Sequence, residues 1–330
     1  MAPMAGSAVD TENRLMSSPD IEASESHPTE RGPAIERLLF VSDVPVADVD
    51  ELPVAVRAVI DAAAQVYVLT PTLPGRLAWL ADDVDRFRHI ADERLDTVLA
   101  HMDTIGADAR GAAIRGSVLT VIADAATEFT PDHILIALRV SADSNWQEHS
   151  LIDHIEHRFG VPVTTFAVDL DGHTSTADGP LVLCYDGSED AKHAIERAGR
   201  LLGGRRALVV TVWQPTAALG SLAWAGATES MFGFVEADRA GADLGARLAG
   251  DGVRLAQQAG LDAEPVAVEA GGPVWKTIVG IAEQHRAATI VMGSRGLTGL
   301  RAMLLGSVSS AVVHHADRPT LVIPHPIAGT

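Results

Sequence analysis

An internal repeat restricts the possible folds of this 330-residue chain more than any other feature. From Ile35 onwards, short runs typical of β-strands alternate with longer runs of helical periodicity, and the same order returns in the second half. An alternation of this kind predicts a parallel sheet with helices on both faces. Identical residues recur at a constant offset of 156 positions: Val118, Ile122, Ala126, Ile134 and Arg139 return as Val274, Ile278, Ala282, Ile290 and Arg295.

Two further alignments extend the repeat to the ends of the unit. Leu38–Asp43 aligns with Leu181–Asp186 at an offset of 143 residues, and Val161–Val163 aligns with Arg318–Thr320 at an offset of 157. The offset changes only where loops differ in length, and both copies carry an aspartate at the end of the first strand. A tandem duplication explains these matches together.

The duplication defines the predicted domains. Residues 1–33 combine Ser, Pro, Glu and Asp without a sustained apolar period, so we predict a disordered tail. Residues 34–168 and 180–330 are each predicted to form a Rossmann-like α/β domain, an open five-stranded parallel sheet with helices on both faces. Residues 169–179 are rich in Asp, Gly, Thr and Ser and are predicted to be a linker.

Acidic side chains are concentrated in the first half. The formal net charge is −19; residues 1–178 carry 30 acidic and 12 basic side chains, whereas residues 179–330 carry 14 and 13. An acidic half repels phosphate polymers and anionic head groups, so neither nucleic acid nor a membrane is expected as a main partner. The apolar runs fall short of the ~20 residues that span a bilayer, and no secretion signal is recognised, so we expect a cytoplasmic protein.

Two glycine clusters follow the fourth strand of the second half. The sequence reads Gly293-Ser-Arg-Gly296, then nine residues, then Gly306-Ser307-Val308. In a parallel sheet this loop lies beyond the carboxyl ends of the strands, where ligands bind. Glycine lets backbone N–H groups approach phosphate oxygens, and a helix opening at Gly306-Ser307 favours negative charge at its N-terminus. Ser307 is expected to cap that helix or to turn its hydroxyl to a phosphate.

The spacing G-x2-G-x9-G-S, followed by the apolar run to Ile323, resembles the nucleotide-binding motif of the ATP-binding universal stress proteins. The resemblance covers residues 180–324 and implies a regulatory stress-response protein that binds ATP, with the need for Mg²⁺ left open. It assigns Asp186 and Val212 to the adenosine, Met292 and Gly293 to the base and ribose, and the phosphates to Gly296, Gly306, Ser307 and Val308.

Several residues near this motif also have structural interpretations. Asp186 suits a ribose hydroxyl or base amine as an acceptor, or it caps the following helix. Arg295 and Arg301 pair with phosphate or are solvated. The segment Gln214–Phe234, with Trp213 before it and Trp224 within it, folds over the base, or these tryptophans pack in the core. The single cysteine, Cys184, is expected to be a small buried residue within a strand.

The first half lacks the glycine loop. Its fourth strand, Ile134–Ala137, continues into Leu138–Trp146 without a glycine before Gly160, so no phosphate cradle is predicted there. Asp43 remains at the end of the first strand, but one carboxylate without the loop does not hold a triphosphate. We therefore predict a degenerate first domain and one ATP per chain, bound in the second half.

The last strand of each half, Thr164–Val168 and Thr320–Ile323, would be an exposed apolar edge if it stayed unpaired. The two strands are therefore expected to pair in an intrachain pseudo-dimer. A homodimer of chains and an unidentified protein partner remain open.

Two other functions also remain open from the sequence. An ATP pyrophosphatase needs an S-G-G-x-D-S loop after its first strand, whereas this chain reads Asp186-Gly-Ser-Glu-Asp190. Slow ATP hydrolysis is the weaker form of the enzyme hypothesis, although no general base is evident beside the glycine loop. A docking protein that needs no nucleotide is the second alternative, and the acidic half suits it. No catalytic residue and no metal ligand is predicted.

Overall fold

The structure is a computed structural model that describes residues 34–42, 52–72, 84–116, 118–139, 155, 160–168, 174, 178–215, 230–295 and 306–324. The predicted tail at 1–33 lies outside these residues, as does most of the predicted linker at 169–179. The domain boundaries predicted from the sequence therefore stay predictions.

Both halves follow the predicted alternation of strands and helices. The first half contains β1 (Ile35–Ser42), α1 (Val54–Asp61), β2 (Ala63–Thr72), α2 (Val84–Thr104), β3 (Ala109–Arg115), α3 (Val118–Phe129), β4 (His133–Arg139) and β5 (Val163–Val168). The second half contains β6 (Leu181–Cys184), α4 (Glu189–Leu202), β7 (Arg206–Trp213), α5 (Ser230–Gln258), β8 (Asp262–Glu269), α6 (Val274–Gln284), β9 (Thr289–Gly293), α7 (Ser307–His315) and β10 (Thr320–Ile323).

The strands of both halves form one ten-stranded sheet, in the order β3-β2-β1-β4-β5-β10-β9-β6-β7-β8. Within each half the neighbouring strands are parallel. The halves meet where β5 and β10 pair antiparallel. Each half thus supplies the five parallel strands of an α/β fold, and the sheet continues across the junction.

The junction between β5 and β10 has local two-fold symmetry. Thr164 pairs with Leu321, and on either side Val163 pairs with Val322 and Thr165 with Thr320. The repeat offset of 157 residues makes Val163 equivalent to Thr320 and Thr165 equivalent to Val322, so the two flanking pairs are equivalent to each other and the central pair joins two equivalent residues. A pseudo-dyad therefore passes through the pair Thr164–Leu321.

Helices cover both faces of the sheet. Strand residues alternate between two faces, so Leu181 and Leu183 join the core beneath α4 and α5, whereas Val182 joins the core beneath α3, α6 and α7. Ala55 of α1, from the first half, is buried in the core beneath α4. Both cores are continuous across the junction.

None of the helices in the described residues is long and apolar enough to cross a membrane. The cytoplasmic location stays a prediction.

The helix α4 shows how the sequence fixes an element that borders the site. Ser188 is its N-cap, and the Ser188 hydroxyl accepts a hydrogen bond from the N–H of Ala191 at 3.2 Å. Gly203 ends the helix and Gly204 follows with φ +78°, a conformation that glycine adopts without strain. Its core-facing residues recur at helical spacing: Ala191, Ala194, Ile195, Ala198 and Leu202.

Candidate functional site

A cavity of about 280 Å³ opens at the carboxyl ends of β6, β7 and β9, on the face covered by α6 and α7. This is the position at which open parallel sheets bind ligands. The predicted contact residues that the structure describes all line this cavity: Asp186, Val212, Met292, Gly293, Gly306, Ser307 and Val308. Gly296 lies outside the described residues, as do Arg301 and Trp224.

One end of the cavity has an apolar wall. Val210 and Val212 of β7, Met292 of β9, and Val274 and Ile278 of α6 supply it. Aliphatic side chains on both sides of a narrow cavity suit the faces of a flat aromatic ring, because such a ring buries a large area on both of its faces. The sequence prediction named Val212 and Met292 but missed Val210, Val274 and Ile278, which look like ordinary core residues in the sequence.

The other end of the cavity is formed by the N-terminus of α7. Gly306 is the N-cap with φ −56°, and Ser307 is the first residue of the helix. The expectation that Ser307 caps α7 is therefore wrong, because the side chain of a residue inside the first turn is not in the cap position. The first N–H groups of a helix have no intrahelical acceptor and carry partial positive charge. This end of the cavity suits an anion, and the exposed Arg295 also lines it.

Hydrogen bonds connect the two described ends of the glycine loop. The N–H of Gly306 donates to the carbonyl of Ser294 at 2.7 Å, and the N–H of Ser294 donates to the carbonyl of Ile323 at 3.0 Å. The hydroxyl of Ser309 donates to the carbonyl of Gly293 at 2.9 Å. The start of α7 is therefore fixed against the end of β9.

Gly293 is required where β9 meets α4. A Cβ atom at this position would lie 2.7 Å from the Cβ and carbonyl carbon of Asp190 and 2.9 Å from the amide nitrogen of Ala191. The hydroxyl of Ser294 donates to the carboxylate of Asp190 at 3.2 Å across the same boundary. The glycine thus permits the first turn of α4 to pack against the end of β9.

Asp186 stands between β6 and α4. One of its carboxylate oxygens accepts a hydrogen bond from the N–H of Ser188 at 3.0 Å, which shapes the turn that leads into the helix. Gly187 within this turn has φ +85°. Since Ser188 is the N-cap of α4, the alternative interpretation of Asp186 as the cap is wrong. Asp186 lines the cavity next to the apolar wall.

Cys184 and Tyr185 add two titratable groups to the lining. Burial, together with the nearby Asp186 carboxylate, raises the pKa of the Cys184 thiol to about 12. Desolvation also raises the pKa of Tyr185. Both groups are therefore protonated at neutral pH, and the thiol is a poor nucleophile. Cys184 ends β6 as a half-buried lining residue, so the expectation of a fully buried residue is only partly met.

The remaining predicted residues lie elsewhere. The ring of Trp213 packs against α5, because a Cβ at Gly241 or Gly245 would lie 3.3 or 3.0 Å from that ring. This contact agrees with the core interpretation of Trp213.

The first half carries different side chains where the second half lines its cavity. By strand register, Val41 corresponds to Cys184, Leu69 to Val210 and Ile136 to Met292. Ala137 stands in the place of Gly293, so Val41, Leu69 and Ala137 are each larger than their counterparts. Asp43 and residues 140–154 lie outside the described residues.

Comparison with known proteins points to one family. The model of the universal stress protein family matches residues 179–324. A universal stress protein of Synechocystis is 41% identical over 73 residues, which cover 22% of this chain and 68% of that protein. A universal stress protein of Methanocaldococcus jannaschii is 49% identical over 49 residues, which cover 15% of this chain and only 29% of that protein.

The fold has a counterpart among solved structures. The crystal structure of a universal stress protein from Archaeoglobus fulgidus covers 90% of this chain and 98% of its own, with a TM-score of 0.54 and 17% identity. At this identity the likeness concerns the fold alone. It extends over both halves of the chain, whereas the family model matches the second half.

Proposed function

Because the chain belongs to the universal stress protein family, we propose that its second half binds ATP and that ATP occupancy regulates the protein in the stress response. One observation carries the proposal: the residues that the motif assigns to the nucleotide come from three strand ends and one helix, yet line the same cavity wherever they are described. A shared wall is what a common ligand requires.

The cavity offers a different chemistry to each part of the nucleotide. The adenine packs between the aliphatic side chains of β7, β9 and α6, and the Asp186 carboxylate accepts a hydrogen bond from a ribose hydroxyl or from the base amine. The phosphates face the N–H groups of Ser307 and Val308, and Arg295, which also lines the cavity, supplies a positive charge.

We expect the protein to bind ATP without hydrolysing it efficiently, because the titratable groups that the described residues place in the cavity are poorly suited to act as a general base. The thiol of Cys184 has its pKa raised to about 12, the Tyr185 hydroxyl is also held protonated, and Asp186 lies at the adenosine end. A general base must reach the water that attacks the γ-phosphate, and none of these groups is placed for that role. The described residues also contain no cluster of acidic, His or Cys side chains that could hold a metal ion. Mg²⁺ would therefore be held mainly by the phosphates.

The nucleotide carried by freshly purified protein tests the proposal directly. Mass spectrometry of the supernatant after acid denaturation should detect ATP or ADP in a fixed ratio to the chain. Incubation with excess ATP should then release less than about one phosphate per chain, because the described residues that line the cavity offer no general base for the attacking water. Repeated turnover would support the enzyme alternative, and a chain that neither carries nor binds nucleotide would support the docking alternative.

A further inference from the structure

Ser309 is a buried polar residue in the first turn of α7 that the motif does not assign to the nucleotide. Its side chain is 4% exposed, and its hydroxyl donates to the main-chain carbonyl of Gly293 at 2.9 Å. A serine within a helix commonly bonds to a carbonyl of the preceding turn of its own helix. Here the hydroxyl instead reaches across to the last residue of β9.

This bond is one of two hydrogen bonds that, among the described residues, join the start of α7 to the end of β9. The other is the main-chain bond from the N–H of Gly306 to the carbonyl of Ser294 at 2.7 Å. The main-chain hydrogen bond holds the N-cap, and the Ser309 hydrogen bond holds the helix three residues further on. Two separated hydrogen bonds fix the direction of the helix axis relative to β9, whereas one hydrogen bond at Gly306 would fix only the position of the helix end.

Building on the proposed function, we infer that Ser309 is a positioning residue for the phosphates: its hydroxyl holds the first turn of α7 so that the N–H groups of Ser307 and Val308 point into the cavity. The effect is preorganisation, because N–H groups already aimed at an anion lose little entropy when it binds. Ser309 acts through the orientation of the helix and not through a bond to the ligand, since its hydroxyl proton is already donated to Gly293.

The role predicts an effect that depends on the ligand. In Ser309→Ala, the affinity for ATP should fall about tenfold, the loss expected for one neutral hydrogen bond with some added disorder. The affinity for adenosine should stay within about twofold, because adenosine carries no phosphate for the N–H groups of Ser307 and Val308 to bind. Ser310→Ala is the matched control, since Ser310 lies one position further on and bonds to His314 of its own helix at 3.2 Å.

Amide hydrogen exchange without nucleotide provides the second measurement. Ser309→Ala should speed the exchange of the Ser310 amide, whose N–H donates to the carbonyl of Gly306 at 2.9 Å, in the free full-length protein, whereas a residue that only touches the phosphate would leave this exchange unchanged. If Ser309→Ala gives little folded protein, Ser309→Cys keeps the volume with a weaker donor and serves for the same comparison.

The outcomes separate this inference from the proposed function. Failure of the wild-type protein to bind ATP overturns the proposed function itself. Wild-type binding with an unchanged ATP affinity in Ser309→Ala overturns only the positioning role. An equal loss for ATP and adenosine also overturns it, because it would reveal a general loss of structure. A selective loss for ATP with faster exchange in the first turn supports it.

Discussion

At the scale of single residues, Gly306 is the position where one side chain most directly opposes the proposed ligand. Gly306→Asp puts a carboxylate beside the N-terminus of α7, so we expect ATP binding to be abolished. A Cβ here would lie 3.2 Å from the carbonyl oxygen of Ser294, so a small loss of stability should accompany the change. Titration calorimetry of folded variants measures the effect.

Two substitutions serve as controls for Gly306→Asp. Gly306→Ala adds the same Cβ without charge and should retain most of the ATP affinity. Gly250→Asp adds the same carboxylate within α5, where a Cβ at Gly250 meets nothing within 4 Å, and should bind ATP normally. An undiminished affinity in folded Gly306→Asp would place the nucleotide elsewhere.

His133 should make the stability of the protein depend on pH. Its ring is fully buried at the start of β4, with Nε2 2.8 Å from the hydroxyl oxygen of Thr164. Burial, together with the positive charge of Arg197, lowers the pKa of His133 from 6.5 to about 3. The unfolded chain therefore binds a proton at a higher pH than the folded chain does. Stability should fall as the pH decreases from about 6.5 to about 3, by at most ~4–5 kcal/mol from this residue.

Urea unfolding at several pH values between 6.5 and 4 tests the role of His133. The free energy of unfolding of His133→Gln should change with pH less steeply than that of the wild type, by up to ~1.4 kcal/mol per pH unit. His89→Gln is the control, because the His89 side chain is 75% exposed and its loss should leave the slope unchanged. An unchanged slope in His133→Gln would show that His133 titrates alike in both states.

At the scale of elements, the end of α6 depends on a side chain from a distant part of the sequence. Arg318 is 6% exposed, and its Nη1 donates to the carbonyls of Ala282 at 2.8 Å and Ala287 at 3.0 Å. Arg318→Met should cost about 3 kcal/mol of unfolding free energy, because buried carbonyls lose their donors. Chemical unfolding measures the loss. Asp317→Asn, at a side chain 64% exposed, should cost less than about 1 kcal/mol. Similar losses in both variants would contradict the capping role.

The elements themselves were largely predictable from the sequence. β10 has its predicted bounds, Thr320–Ile323, and β5 begins at Val163, one residue before its predicted start at Thr164. Differences of one residue at the end of an element are expected, because sequence periodicity marks the buried run and not the last hydrogen bond of the element.

The candidate site was predictable only in part. Glycine spacing and strand ends identified Asp186, Gly293 and Gly306, because these positions have unusual backbone requirements. The aliphatic lining was missed at Val274 and Ile278, since apolar residues in a cavity and in a core look alike in sequence. Ser309 was missed for another reason: its partner is the carbonyl of Gly293, and no periodic signal marks a bond between a helix and a strand.

At the scale of the whole molecule, the junction of β5 and β10 is the feature that unites the two halves. Its register gives a pseudo-dyad at the pair Thr164–Leu321. We propose that this junction is the interface of an intrachain pseudo-dimer, in which the packed first half supports the second half. Leu321, Val322 and Ile323 are each at most 2% exposed, so the interface excludes water along β10.

Removal of the first half should therefore produce a dimer. A fragment of residues 180–330 exposes the apolar edge of β10, and the pseudo-dyad shows that a second copy of β10 can pair with it in the same register. Light scattering after size-exclusion chromatography should give twice the fragment mass. The same fragment with Leu321→Lys, which puts a charge at the centre of the pairing, should stay monomeric. A wild-type fragment that is monomeric at micromolar concentrations would contradict this account of the junction.

The most direct test of the central claim is the stoichiometry of ATP binding to the full-length chain, measured by titration calorimetry. The account predicts one ATP per chain, because the second half has a cavity with a helix N-terminus, whereas the sequence of the first half has no glycine between Ile134 and Gly160 to form the phosphate loop. The Gly306→Asp variant should show no binding heat under the same conditions. Two equivalent ATP sites per chain, or no binding by the wild-type protein, would contradict the account.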